Sequence, residues 1–141
     1  MPGQDNKAII GRGFEAMNSQ DFSVFEQVMA PDYLNHDMPA PAPGPAGFKQ
    51  VVGAFFAGFP DMRITVEAQL GDGDLVANRG TFTGTHQGEF MGIPATGKQV
   101  TAKFMDMWRL KDGQAVKNWV RIDMLSLMVQ LGAVPPPQGQ G

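Results

Sequence analysis

Aspartate and tryptophan side chains lie close together in the second half of the chain, within residues 104–123. Asp106 and Asp123 interrupt a largely apolar stretch that also holds Trp108 and Trp119. A carboxyl group surrounded by aromatic and methionine side chains loses hydration, which raises its pKa toward neutrality. Such a group can accept a proton from carbon and later return it. The stretch therefore indicates proton-transfer chemistry at the wall of a pocket.

The spacing within this stretch predicts two strands joined by a tight turn at residues 112–113. With a two-residue turn, Asp106 lies directly opposite Trp119, and Asn118 faces the other way. The face that we predict to line a pocket also carries Phe104, Trp108, Arg121 and Asp123. An extra bulged residue would exchange the two faces of one strand relative to the other.

Each aspartate also has an ordinary structural explanation. Asp123 directly precedes an apolar segment, residues 124–131, so it can cap the N-terminus of a final helix. Asp106 lies between Met105 and Met107, where a buried acid requires a hydrogen-bond donor such as an indole N–H. The residues alone leave the structural and the chemical role open for both aspartates.

The other residue types point away from metal and cofactor chemistry. The chain has two histidines, His36 and His86, and no cysteine. A lone histidine usually makes structural hydrogen bonds, and neither histidine has metal-ligand spacing with other residues on one element. No glycine-rich phosphate loop follows a strand, and no serine stands in a nucleophile motif. We therefore expect no metal and no cofactor, which leaves a carboxylate or a histidine to move protons.

Helices are predicted first along the chain. Residues 5–18 carry apolar side chains at helical spacing, and a short helix with Phe22 and Phe25 follows and ends at Pro31. Residues 38–47 contain four prolines and read as a surface loop, placed over the pocket mouth. A complete apolar stripe then runs along residues 48–59, which is typical of a helix against a core.

The rest of the chain alternates between apolar and polar residues, as strands do. We predict strands over 63–70, 75–86, 98–111 and 114–123 in an antiparallel meander, and a last helix over 124–131. Helices followed by a run of strands give an α+β fold. Long strands must bend, for which Gly80 and Gly84 provide sites. The expected architecture is a cone-shaped, curved antiparallel or mixed sheet with the N-terminal helices over its concave face.

Length and charge narrow the functional classes. The chain of 141 residues fits one domain, expected over 1–134, with a flexible tail over 135–141. A net charge of −3 with scattered basic residues argues against a nucleic-acid partner. No apolar run reaches the length of a membrane span, and the N-terminus does not read as a secretion signal. We expect a cytoplasmic protein with no membrane partner.

Several ordered segments carry a resemblance to a known family. The chain resembles the SnoaL-like polyketide cyclase (ester cyclase) group of the nuclear-transport-factor-two-like fold. The similar segments are YLNHD (33–37), PGPAGFKQ (43–50), FPDMRITVE (59–67), GTHQGEFMGIPATGK (84–98) and RLKDGQAVKNW (109–119), followed by Asp123 and LMVQLGA (127–133). The resemblance implies an α+β cone with a deep apolar pocket, a small polyketide-like substrate, no metal or cofactor, and a homodimer or homotetramer.

The resemblance also implies roles for particular residues. It makes Asp123 the acid/base of an intramolecular aldol cyclisation, with His86 and His36 as further catalytic residues and Asn35 at the substrate. Where many relatives have a histidine before the tryptophan, this chain has Asn118. The side chains that we predict to contact substrate are Asn35, Phe56, Phe82, Phe104, Asp106, Trp108, Trp119 and Arg121. Epoxide hydrolysis, ketosteroid-type isomerisation and non-catalytic ligand binding are the alternative functions.

Overall fold

A computed structural model describes residues 2–35, 37 and 40–136 of the chain, with side chains from residue 5 onward. Its helices are α1 (Pro2–Ser19), α2 (Phe25–Val28), α3 (Gly44–Gly58) and α4 (Met124–Gln130), with a 3-10 turn at Phe22–Val24. Its strands are β1 (Met29–Asn35), β2 (Arg63–Asp72), β3 (Leu75–Thr85), β4 (Gln99–Lys111) and β5 (Gln114–Ile122). None of the described helices is long and apolar enough to cross a membrane. His36 and residues 137–141 of the expected tail lie outside the described residues.

The strands form one open, mixed sheet in the order β1-β5-β4-β3-β2. β2 to β5 make the predicted antiparallel meander, and β1 joins its edge in parallel with β5. The α+β fold class with a mixed sheet is confirmed. The prediction omitted β1 and carried the second helix to Pro31, whereas that helix ends at Val28. β1 has no clean alternation and pairs with a strand some 85 residues away, as in Asn35 with Asn118, so local pattern does not reveal it.

The helices cover the concave face of the sheet and supply much of the core. α3 begins at Gly44, earlier than residue 48, because prolines are tolerated in the first turn of a helix. Its Phe48, Val52 and Phe56 are buried. The end of α1 is held on β2 by Asn18, whose side chain accepts from the Ile64 N–H at 2.7 Å and donates to its carbonyl at 2.8 Å. The two helices thus form a fixed cover over the sheet.

The register of β4 and β5 changes along the hairpin. Next to the turn, Leu110 pairs with Ala115 as predicted, but Arg109 pairs with Lys117, which leaves Val116 as an extra residue in β5. Because side chains alternate between faces, this bulge exchanges the faces of the rest of β5. Trp108 pairs with Asn118 and Asp106 with Val120. The predicted pairing of Asp106 with Trp119 is wrong.

A glycine makes room for one aromatic ring on the sheet. Gly80 pairs with Phe104, and a Cβ on Gly80 would lie 2.6 Å from the Phe104 ring and 2.3 Å from the Thr65 carbonyl oxygen. The β2–β3 register shifts beside it, after Val66. Gly80 therefore stands where the sheet changes register, and it opens the space that Phe104 fills beneath α1.

Candidate active site

A cavity of about 100 Å³ lies between the helices and the concave face of the sheet. Its walls are almost entirely apolar. The helices contribute Phe14, Met17, Phe48, Val51, Val52 and Phe55. The sheet and the segment before it contribute Met62, Ile64, Phe82, Phe104, Val120 and Ile122. The remaining lining residues carry polar atoms: Asn35, Asp106, Trp108 and Asn118.

Asp106 is the only carboxylate among the described residues that line the cavity. It points inward from the middle of β4 and is only 9% exposed. Burial raises the pKa of its carboxyl to about 6, while the hydrogen bond from Asn78 and the nearby Trp108 indole act to lower it. No lysine or arginine stands among the described lining residues. The result is a carboxyl group that exchanges a proton near neutral pH.

A row of amide side chains across three strands holds this carboxyl. Gln69 on β2 donates to Asn78 Oδ1 on β3 at 3.0 Å, and Asn78 Nδ2 donates to Asp106 Oδ1 at 2.8 Å. Asn78 is directly opposite Asp106 in the sheet and is itself buried. Asp106 Oδ2 makes no hydrogen bond to another described residue. One oxygen is therefore fixed, and the other is available to a ligand.

Trp108 lies two residues along β4 from Asp106 and on the same face. Its Nε1–H is buried and, among the described residues, has no hydrogen-bond acceptor at normal distance and angle. It is near enough to the Asp106 carboxyl to lower its pKa, although it does not form a proper hydrogen bond. The indole thus acts on Asp106 as a nearby dipole. The sequence allowed either a bond to a buried donor or a place on the pocket wall for Asp106; the structure has both, and the donor is the Asn78 amide.

Asn118 is the polar neighbour that the bulge brings to the cavity. It pairs with Trp108 across the hairpin and is only 3% exposed. Its Oδ1 accepts from the Tyr33 hydroxyl at 2.9 Å, and Tyr33 stacks on Trp108 with ring centres 5.9 Å apart. Burial and the nearby Asp106 raise the pKa of Tyr33 far above neutrality, so it remains a donor. Asn118 makes no further hydrogen bond among the described side chains, which leaves its Nδ2–H groups for a ligand.

Most of the predicted substrate contacts do line the cavity: Asn35, Phe82, Phe104, Asp106 and Trp108. Phe56 does not. It turns toward the second helical segment, where its ring centre is 6.0 Å from that of Phe22, and Phe55 takes its place at the cavity. Both residues lie on the apolar stripe of α3, and the width of that stripe hides which of them reaches the cavity.

Trp119 and Arg121 are placed differently from the prediction, because the bulge at Val116 turns them to the convex face. The Trp119 ring lies 5.8 Å from the Arg109 guanidinium carbon. Arg121 is exposed, and its guanidinium pairs with Asp37 at 2.5 Å. The placement of these two side chains on the pocket wall is therefore corrected.

Asp123 occupies the position that its structural explanation predicts. It follows β5, is exposed, and its carboxylate accepts from the Ser126 N–H at 3.0 Å as the N-cap of α4. It is not among the residues that line the cavity. The carboxylate thus stabilises a helix end, and its proposed catalytic role is tested by none of these contacts.

His86 is completely buried in the loop after β3 and does not line the cavity. Its Nδ1 accepts from the Thr96 N–H at 3.2 Å and lies 2.9 Å from the Thr96 hydroxyl, while Nε2 has no partner among the described residues. The ring packs on Phe59 with centres 5.4 Å apart. These contacts give His86 a structural role in closing the loop. His36, the other predicted histidine, lies outside the described residues.

Sequence reasoning missed Asn118, Tyr33 and Asn78. Asn78 had a readable signal, because it shares the alternation of Val76 and Phe82 and therefore faces the core. Asn118 was placed on the wrong face by a single bulged residue, and Tyr33 lies on the strand that was not predicted. No group of three potential metal ligands occurs within the part of the chain that the structure describes, and the expectation of a metal-free, cofactor-free site stays a prediction.

Known proteins share both the sequence pattern and this fold. The family model of SnoaL-like polyketide cyclases matches residues 8–131. No curated protein sequence matches the chain. Among solved structures, IdmH of Streptomyces antibioticus, assigned as a polyketide cyclase, is 34% identical, with 90% of this chain and 98% of that one covered and a TM-score of 0.78.

Two further structures are similar. AclR of Streptomyces galilaeus, assigned as a hydroxylase, is 31% identical, with coverage of 97% and 87% and a TM-score of 0.84. A SnoaL-like polyketide cyclase, so assigned, from Jannaschia sp. CCS1 is 26% identical, with 96% of both chains covered and a TM-score of 0.84. The family match spans nearly the whole described fold, and the chain belongs to the SnoaL-like polyketide cyclase family.

Proposed function

We propose that the protein is a cofactor-independent acid–base enzyme that closes a ring by intramolecular aldol reaction on a small, apolar, polyketide-like substrate, with Asp106 as acid/base. The observation that carries this proposal is a buried carboxyl at an apolar cavity, with a pKa of about 6 and one oxygen that no described residue hydrogen-bonds. A general base works best when its pKa is near the operating pH. Membership of the cyclase family supports the reaction class.

The residues at the cavity supply each proton that the reaction moves. The Asp106 carboxylate takes a proton from the carbon next to a carbonyl, and the electron pair moves to the carbonyl oxygen. Asn118 Nδ2–H donates to that oxygen and stabilises the enolate. The enolate carbon then bonds to a second carbonyl carbon of the same molecule. The oxygen of that carbonyl takes the proton back from Asp106, which restores the carboxylate.

Asp123 stays the alternative acid/base, as the family resemblance predicts. For that role its carboxylate would have to leave the Ser126 N–H and reach the cavity from the start of α4. Asp106 requires no such movement. The two assignments differ in which aspartate can be replaced without loss of activity, since an asparagine at position 123 still caps the helix.

The experiment measures proton abstraction directly, without knowledge of the natural substrate. In D₂O, the exchange of the α-protons of 1-tetralone is followed by NMR in the presence of the protein. We expect exchange well above the buffer rate, and a loss of at least about a hundredfold in Asp106→Asn. Asp123→Asn serves as the matched control and should retain exchange. Loss in Asp123→Asn but not in Asp106→Asn would transfer the role to Asp123, and buffer-level exchange by the wild type would contradict the proposal.

The other functions receive different degrees of support. Epoxide hydrolysis, as considered from the sequence, requires a water between two carboxylates with an arginine, yet Arg121 and Asp123 lie outside the cavity. A ketosteroid-type isomerisation needs a single carboxylate and one donor, which Asp106 and Asn118 provide, so it is the second candidate. Non-catalytic binding is disfavoured because no described residue hydrogen-bonds Asp106 Oδ2.

Assembly and location complete the proposal. The convex face exposes Met105 and Met107, at 61% and 40%, beside Trp119. Such an apolar patch is consistent with a homodimer or homotetramer, which sedimentation velocity would test. The cytoplasm as location and the absence of a nucleic-acid partner, suggested by the net charge of −3, stay part of the same proposal.

A further inference from the structure

We propose that the cavity takes a single six-membered ring that carries one carbonyl or enol oxygen, with that oxygen at Asn118 and the adjacent acidic C–H at Asp106. Additional fused rings lie outside the cavity. This inference rests on the proposed function, because it uses the same two side chains as the ligand-facing groups. It replaces the expectation of a polycyclic group bound in a deep pocket by a narrower substrate class.

The volume sets the first limit. The cavity measures about 100 Å³, whereas an engineered apolar cavity of about 150 Å³ in another protein binds one benzene molecule. A single ring therefore fills the space and extends partly into the mouth. A second or third ring placed at the same depth has no room without displacement of the walls, and interiors packed at crystal density resist such displacement.

The inner wall is held by contacts between aromatic rings. Phe104 meets Phe14 with ring centres 6.1 Å apart, and Trp108 meets both Tyr33 at 5.9 Å and Phe48 at 6.0 Å. All five rings are buried. Enlarging this end of the cavity would separate several packed aromatic pairs at once, and each such pair stabilises the core beyond its buried area. The size limit is thus built into the inner wall.

The mouth is the side of the cavity that lies nearest to solvent. Its lining residues there are only partly buried, and they include Met17, Val51, Phe55 and Ile122. Methionine adapts its shape easily, so this side can fit groups of different sizes. A substituent or a fused ring that extends from the bound ring therefore leaves through the mouth.

The two ligand-facing groups define the chemistry of the ring. Asp106 and Asn118 are diagonal neighbours on β4 and β5, at a separation that long side chains and a ligand can bridge. Asn118 Nδ2–H can only donate, and ionised Asp106 can only accept. A carbonyl oxygen next to an acidic C–H, or its enol tautomer, matches that order. A hydrocarbon ring leaves both groups unpaired, and a carboxylate ligand places two negative charges together.

The test is a binding series of ketones with one, two and three rings, in which the size limit and the hydrophobic effect predict opposite trends in affinity. The probes are cyclohex-2-enone, 1-tetralone with its carbonyl on a terminal ring, and anthrone with its carbonyl on the central ring. Burial of apolar area alone predicts that affinity rises with each ring. The proposal predicts that cyclohex-2-enone and 1-tetralone bind and that anthrone binds at least about tenfold more weakly than 1-tetralone, because its carbonyl can reach Asn118 only with three rings inside.

The readout is the two indole N–H signals in NMR spectra of ¹⁵N-labelled protein. The Trp108 signal should shift on binding, and the Trp119 signal, on the convex face, is the internal control. Asn118→Leu should weaken 1-tetralone binding about five- to tenfold, with its fold checked by urea unfolding. The wild-type Trp108 shift tests the site even if that variant does not fold.

The outcomes separate this inference from the proposed function. Anthrone binding at Trp108 as tightly as 1-tetralone would overturn the one-ring limit, and a shift of Trp119 alone would overturn the site. An Asn118→Leu variant that folds and binds 1-tetralone as the wild type does would remove the oxygen contact. Binding with the predicted size limit but without α-proton exchange would keep the ligand assignment while the proposed catalysis fails.

Discussion

The concave and convex faces of the sheet treat charge in opposite ways. On the convex face, charged side chains form pairs in solvent, such as Lys103 with Glu67 at 3.7 Å and Arg109 with Asp74 at 3.3 Å. On the concave face, Asp106 is buried without a basic partner among the described lining residues. Exposed pairs contribute little to stability, whereas a buried unpaired acid is costly when ionised. The concave face therefore retains a group that folding alone does not favour.

The difference indicates what each face is for. A carboxyl held by one amide donor, with its pKa at about 6 and one oxygen that no described residue hydrogen-bonds, is suited to exchange protons with a ligand. Substitutions on the concave face should therefore change stability and proton exchange far more than substitutions on the convex face.

The largest effect is expected from deletion of Val116, the bulged residue of β5. The deletion would remove the register shift, turn Trp119 and Arg121 inward and move Asn118 outward. An unpaired arginine in an apolar cavity and the loss of the buried Asn118 contact should cost more than about 4 kcal/mol, which is enough to prevent cooperative folding. Thermal unfolding followed by near-UV circular dichroism measures this.

Val116→Ala is the control for that deletion. It keeps the residue count and removes only a partly buried side chain, so the free energy of unfolding should fall by no more than about 1 kcal/mol. A deletion variant with a native-like spectrum and melting temperature would contradict the observed register. It would favour the pairing of Asp106 with Trp119 that the sequence predicted.

The same bulge marks the boundary of what the sequence could predict. Alternation in residues 63–70 and 98–111 and the stripe of α3 identified the strands, the helices and the α+β class, because these signals are local. The alternation of apolar and polar residues also identified the inward faces of β3 and β4, which carry Phe82, Phe104 and Asp106. The bulge in β5 adds one residue, Val116, and a valine there is no signal of a bulge. The inward face of β5 therefore could not be predicted from the sequence.

Two further parts of the site depend on contacts between distant segments. Tyr33 reaches Asn118 only because β1 pairs in parallel with β5, and no short-range pattern specifies that pairing. The choice between capping and catalysis for Asp123 depends on the backbone path after β5, which places its carboxylate at the Ser126 N–H. The sequence supplied both alternatives but no physical reason to prefer one.

The second prediction concerns the cost of ionised Asp106. Its pKa is raised from 3.8 to about 6 on folding, so the folded state binds more protons than the unfolded state between these values. Stability therefore falls as the pH rises through this range. Asp106→Asn cannot ionise and does not lose this stability. Its free energy of unfolding should be about 2–3 kcal/mol higher than that of the wild type at pH 7.5, and nearly equal to it near pH 4.

Urea unfolding at both pH values measures this difference. Asp123→Asn is the matched control, since its side chain is exposed and asparagine is also a good N-cap. That variant should stay within about 0.5 kcal/mol of the wild type at either pH. An Asp106→Asn variant that is less stable at pH 7.5 than the wild type would show that the ionised carboxylate is stabilised rather than strained.

The third prediction tests the amide row that holds Asp106. The hydrogen bond from Asn78 favours the ionised carboxylate, so Asn78→Leu should raise the pKa of Asp106 further. The acid limb of the 1-tetralone exchange profile should then move upward by about one pH unit. Gln69→Leu keeps the hydrogen bond from Asn78 to Asp106, so it should move the acid limb less. A lower rate at every pH with an unmoved midpoint would reduce Asn78 to a packing role.

The smallest effect is expected on the convex face, at the ion pair of Arg121 with Asp37. Arg121 is 77% exposed, so Arg121→Ala should lower the free energy of unfolding by less than about 1 kcal/mol and leave α-proton exchange unchanged. Asp37→Ala should cost more, because the Asp37 carboxylate also accepts from the Val120 N–H at 2.6 Å. Urea unfolding of both variants compares the two losses. A marked loss of exchange in Arg121→Ala would bring this arginine back to the site and break the division between the two faces.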